Sequence, residues 1–87
     1  MSLTPTKKEL MNRSLSALTI NVGKAGVSES LIEEIRRQLK AKELIKVRFA
    51  RTVASEKESY ITEIVEKTNS KLIDLRGNVA IIFKKRS

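Results

Sequence analysis

Gly23-Lys24-Ala25-Gly26 is the stretch of this 87-residue chain whose residue types and spacing point to chemistry. Two glycines three apart let the backbone turn sharply and approach another molecule with no side chain in between. Lys24 places a positive charge at the tip. An apolar run from Leu18 to Val22 leads into the turn, and an amphipathic run from Ser28 to Lys42 leads out. A helix that starts beside such a turn directs its first N–H groups toward it, which suits a phosphate. The competing reading is a strand-to-helix turn that needs glycine for its geometry alone. Lys24 favours the first reading, because an acidic residue there would repel phosphate.

The charge distribution points the same way. The net charge is +8, with 18 Lys and Arg against 10 Asp and Glu. Residues 36–51 hold Arg36, Arg37, Lys40, Lys42, Lys46, Arg48 and Arg51 against Glu43 alone. Residues 28–35 carry only Glu29, Glu33 and Glu34, and Lys84-Lys85-Arg86 forms a basic tail. Such segregation is the footprint expected of a protein that meets a polyanion. A solvated basic surface that aids solubility is the bland alternative. For Arg36, Arg37, Lys40 and Lys42 there is a second one, since cations are favoured in the last turns of a helix.

Other chemistries find little support. Histidine and cysteine are absent, so the commonest general base, the commonest metal ligand and any thiolate site are missing. Glu33 and Glu34 are adjacent on a helix and do not face each other. Asp74 has no carboxylate partner nearby in the sequence, and the serines have no histidine to activate them. The expectation is a protein without catalytic residues, metal or cofactor. No run of about 18 apolar residues exists to span a membrane. With no signal-peptide-like segment, the expected location is cytoplasmic. Phe49, Tyr60 and Phe83 are the aromatics, and strand spacing assigns Phe49 and Phe83 to the core.

The elements that position these residues follow from periodicity. A first helix is predicted over residues 5–16, begun by Thr4-Pro5 or by Thr6 with Glu9 at capping-box spacing. Leu18, Ile20 and Val22 alternate with polar residues as a strand. Ser28 caps a second helix in which Val27, Leu31, Ile35 and Leu39 recur every four. From Leu44 to Arg51, Ile45, Val47 and Phe49 point one way and Lys46 and Arg48 the other. Strand, helix and strand make a βαβ unit with parallel strands. Residues 52–55 form a polar connection, and a third helix runs over residues 56–69. Its inner side holds Tyr60, Ile61, Ile64, Val65 and Thr68, and its acidic outer side is expected to face away from the polyanion. The last two strands, Lys71 to Arg76 and Val79 to Lys84, flank Gly77-Asn78, a two-residue loop suited to a type II′ turn. Apolar residues on both sides of the last strand place it centrally. The order αβαβαββ predicts one α/β domain over residues 1–87, a two-layer sandwich with a four-stranded mixed sheet.

At this point the residues resemble a known family. GKAG after a strand, then VSESLIEEI, then the exit into Glu43-Leu44-Ile45-Lys46-Val47-Arg48, is similar to the CRM domain of chloroplast RNA splicing and ribosome maturation proteins. Leu3-Thr4 with Lys7, and Gly77-Asn78 before an apolar strand ending in basic residues, add to the resemblance, which covers nearly the whole chain. It implies a fold similar to the C-terminal domain of bacterial translation initiation factor three. It also implies RNA binding through the GxxG loop, here Gly23, Lys24, Ala25 and Gly26, and through nearby basic surface. Free-standing bacterial and archaeal members of the family associate with precursor large ribosomal subunits, and organellar relatives serve intron splicing. A related GxxG loop in KH domains clamps the nucleic-acid backbone.

The sequence therefore predicts a non-catalytic, monomeric RNA-binding protein acting on ribosomal RNA or precursor large subunits. Phosphate contacts are expected from Arg36, Arg37, Lys40, Lys46 and Arg48, with Lys84, Lys85 and Arg86 extending the surface. A small basic chromatin-type DNA-binding protein and a protein-interaction module on the ribosome are the alternatives.

Overall fold

The computed structural model describes residues 6–15 and 17–85. The Thr4-Pro5 helix start and the Arg86 contact expected above lie outside the described residues. In chain order the elements are α1 (Lys7–Ser14), β1 (Leu18–Val22), α2 (Glu29–Lys42), β2 (Leu44–Phe49), a 3-10 helix (Arg51–Glu56), α3 (Lys57–Thr68), β3 (Lys71–Arg76) and β4 (Val79–Phe83). The strands form one sheet in the order β1-β2-β4-β3, with β1 and β2 parallel and the other pairs antiparallel. The mixed four-stranded sheet of the sequence reading is thus present, and β4 is central.

Local signals account for the helix boundaries. Thr6 Oγ1 accepts from the Glu9 N–H at 3.2 Å and opens α1. Ser28 has extended backbone, and its hydroxyl accepts from the Leu31 N–H at 3.2 Å to open α2. A single residue, Glu43, then links α2 to β2 at φ +65°. That left-handed conformation is uncommon outside glycine. It is held by the Glu43 N–H donating to Leu39 O and the Lys84 N–H donating to Glu43 O, both at 2.8 Å. Gly77, at φ +57°, supplies the positive first position that a type II′ hairpin requires. The segment at 52–55, expected as a polar connection, is part of the 3-10 helix. Val53 explains this: its N–H donates to Ala50 O, and its side chain is buried in the main core.

The sheet buries both faces, unequally. On one face Ile32, Ile35 and Leu39 of α2 and Ile61 and Ile64 of α3 pack on Val22, Ile45, Val47, Phe49, Ala80 and Ile82. Burying each of the larger side chains contributes about 1.5–3 kcal/mol. On the other face α1 covers only part of the sheet, with Leu10 against Leu44, Ile81 and Phe83. The α/β sandwich therefore consists of the sheet and the α2–α3 layer, and α1 is a partial cover on the opposite side. The part of that second face left open by the described residues contains Lys46 and Arg48.

Candidate nucleic-acid interface

The two glycines of the turn have different requirements. The Gly26 N–H donates to Gly23 O at 2.9 Å and closes a β-turn over Lys24 and Ala25. Gly26 has φ +72°, and a Cβ placed there would lie 3.0 Å from Tyr60 Oη. Glycine at 26 is thus explained by backbone conformation and by packing. Tyr60 is fixed in place by stacking on Phe49, with centroids 6.4 Å apart, and by donating its hydroxyl proton to Glu56 Oε2 at 2.7 Å. That hydrogen bond, ahead of burial and the Glu56 charge, pushes the Tyr60 pKa above its ordinary value. Gly23 has neither requirement. Its φ is outside the left-handed region, and a Cβ there would meet nothing within 4 Å. Gly23, Lys24 and Ala25 are all exposed at the entry to α2.

Beside this turn lies the open half of the second sheet face. Directly paired residues in a ladder point to the same face. Asn21 pairs with Arg48, Arg48 with Val79, and Val79 with Arg76, so these four form one row across the sheet. Thr19 and Lys46 are paired in the next row. A concavity of about 500 Å³ is lined here by Lys46, Arg48 and Arg51 together with Thr19, Asn78 and Val79. The Ala50 N–H donates to Val22 O at 2.9 Å, which sets the Ala50–Arg51 segment next to the Gly23 turn. Turn and concavity are therefore contiguous. Among the described residues, Lys24, Lys46, Arg48 and Arg51 make no salt bridge. Nearby, Lys57 Nζ donates to Gly77 O at 2.7 Å and ties the β3–β4 hairpin to α3.

Two contributors to this surface are not among the contacts expected from sequence. Arg51 reaches it because the 3-10 helix begins where β2 ends; its signal was membership of the basic stretch. Arg76 joins through the β3–β4 register. It donates to Asp74 Oδ2 at 3.0 Å, and this bond, with one from the Leu75 N–H, holds the Asp74 carboxyl below its ordinary range.

The remaining expected contacts are elsewhere. Arg36, Arg37 and Lys40 belong to α2, on the opposite side of the sheet from Lys46 and Arg48. Arg36 pairs with Glu33 at 2.6 Å and donates to Lys67 O at 2.8 Å, capping the end of α3. Arg37 pairs with Glu34. Lys40 is exposed. Lys84 and Lys85 follow β4 at the end of the sheet away from the GxxG turn. α3 shares the α2 side, so its acidic outer surface is remote from the open strip.

What this surface can do is electrostatic. Cations at the strip, backbone N–H groups at the α2 entry and a side-chain-free Gly23 can meet a chain of phosphates. Phe49 is buried, as is Phe83, and Tyr60 is packed under Gly26, so no aromatic platform for stacking bases lies on it. Among the described residues no group of three or more His, Cys, Asp or Glu is placed to hold a metal ion. No described helix is long and apolar enough to cross a membrane.

Comparison with known proteins adds to this picture. "Probable RNA-binding protein YqeI" of Bacillus subtilis is 31% identical over 84 residues, covering 94% of this chain and 88% of that protein. The solution structure of the hypothetical protein SAV1595 from Staphylococcus aureus, whose description proposes RNA binding, superposes with a TM-score of 0.75 at 27% identity. That match covers 93% of this chain and 85% of the other. Residues 4–84 match the CRS1/YhbY (CRM) domain, and the chain belongs to that family.

Proposed function

We propose that this protein is a non-catalytic RNA-binding protein that grips the phosphate backbone of structured RNA. Its contact surface is the Gly23–Gly26 turn together with Lys46, Arg48 and Arg51. The observation that carries the reading is the contrast between the two glycines. The fold needs glycine at 26, whereas at 23 a side chain would project into open space, next to Lys24 and near the strip of Lys46, Arg48 and Arg51, which make no salt bridge among the described residues. A glycine that the fold does not require, at such a place, suits close approach of another molecule's backbone. The name of the Bacillus subtilis relative supports RNA as the partner. With the family's link to ribosome maturation, ribosomal RNA within precursor large subunits is the target we assign.

The test is a binding titration of the wild-type protein against a structured large-subunit ribosomal RNA fragment and against duplex DNA of equal length, at one salt concentration. Tighter binding to the RNA is expected. Equal or tighter binding to the duplex DNA would instead make the protein a general DNA-coating protein. Failure to bind either would move the basic face to an acidic protein partner.

A further inference from the structure

A second cluster of cations lies at the other end of the sheet. Lys7 at the start of α1, Lys71 at the start of β3, and Lys84 and Lys85 after β4 surround a concavity of about 670 Å³. Its apolar lining includes Leu10, Ile73 and Phe83, which pack together, and the 38% exposed Leu72. Among the described residues no carboxylate lines it, and the carboxylate that one of its lysines acts on is Asp74, whose pKa Lys7 helps to lower. Among the described residues none of the four lysines forms a salt bridge. This contrasts with α2, where Arg36 and Arg37 each have a glutamate partner. Lysines that share one concavity repel one another, and an anion seated among them relieves that repulsion.

We propose that this four-lysine corner is a second RNA-binding site, separate from the GxxG surface. This inference rests on the RNA-binding reading above. The ammonium groups take phosphates, while the apolar lining accepts a ribose or base from the same strand. β4 alone separates the two ends by about 13 Å at ~3.3 Å per residue. Both sites lie on the α1 side of the sheet, and Lys7 and Leu10 of α1 line the second. One protein molecule therefore holds RNA at two points, and its affinity exceeds that of either site alone.

The experiment is fluorescence anisotropy with a labelled hairpin from large-subunit ribosomal RNA, over a salt series. It compares wild type, Lys71→Glu/Lys84→Glu, Lys24→Asp, and the triple variant. Arg37→Glu/Lys40→Glu is the control for an equal change of net charge on α2. All substituted side chains are exposed or half-exposed, and circular dichroism checks the fold. The corner variant is expected to bind about tenfold more weakly with a shallower salt slope, its loss adding to that of Lys24→Asp, while the control changes affinity less than about twofold. A corner variant matching the control would overturn the second site while leaving the GxxG reading intact, provided Lys24→Asp still weakens binding. Wild type that binds no RNA would overturn both. Unchanged RNA binding with loss of binding to poly-glutamate would make the corner a site for acidic protein.

Discussion

Tyr60 Oη lies 3.0 Å from where a Cβ at Gly26 would stand, closer than an ordinary van der Waals contact. The base of the GxxG turn is thereby locked to α3, which leaves Gly23, Lys24 and Ala25 as the part that projects. The contact and the φ of +72° both oppose any side chain at 26. Gly26→Ala is expected to lower stability by about 1–2 kcal/mol, the cost of holding an L-residue in a left-handed conformation. Gly23→Ala should change it by less than about 0.5 kcal/mol, as for surface substitutions away from special features. Urea denaturation of the two variants checks this, and equal losses would contradict the distinction.

Gly23→Ala separates stability from binding. A methyl group there meets nothing of the protein itself. If the RNA backbone passes over Gly23, the methyl group stands in its path. RNA affinity is then expected to fall several-fold while the urea midpoint stays put. Unchanged affinity in an RNA titration would show that the ligand keeps its distance from Gly23.

Arg36 offers the reverse case. Its guanidinium holds Glu33 and the Lys67 carbonyl at the end of α3, on the helical side of the sheet. Arg36→Ala should cost about 0.5–1 kcal/mol of stability, the scale of partly exposed charge-assisted contacts. It should leave RNA affinity within about twofold, apart from the loss of one general charge. Weaker RNA binding at unchanged stability would instead move the interface onto α2.

The Asp74 carboxyl, held below its ordinary range mainly by Arg76, links stability to acid. A depressed folded pKa means that the unfolded chain binds the proton more readily. The contribution is fully present above the unfolded value near 3.9 and is lost as pH falls through the folded value. Asp74→Asn should therefore flatten part of the decline in urea midpoint as the pH falls below about 4. An acid limb identical to that of wild type would show that Asp74 is not a source of the decline.

Much of this architecture is legible from local patterns. Ser28, the four-residue recurrence through Leu39 and the alternation from Leu44 define the βαβ unit, and Gly77-Asn78 defines the hairpin. The side on which α1 packs is harder to read, because Leu10 and Met11 form an apolar stripe that names no partner. The indication lies in β4, where Ile81 and Phe83 are as apolar as Ala80 and Ile82, so both faces of that strand need cover. The basic residues divide for a similar reason. Arg36 and Arg37 are close to Lys46 and Arg48 in sequence, but α2 buries its Ile35–Leu39 stripe on the face opposite to theirs. Charge clustering along a chain is one-dimensional, and only the topology sorts it into surfaces. Val53 shows the limit of composition: one valine in a polar stretch is enough to anchor a 3-10 helix.

Lys24 at the tip of the turn is the most direct test of the account. Lys24→Asp keeps both glycines and alters an exposed side chain, so the fold should be unchanged by circular dichroism. RNA binding by wild type and variant is measured across a salt series. The account predicts a loss of about tenfold or more and a salt slope shallower by about one, as one phosphate contact is removed. Superimposable curves would contradict it, and would leave the glycine turn as a device of the fold alone.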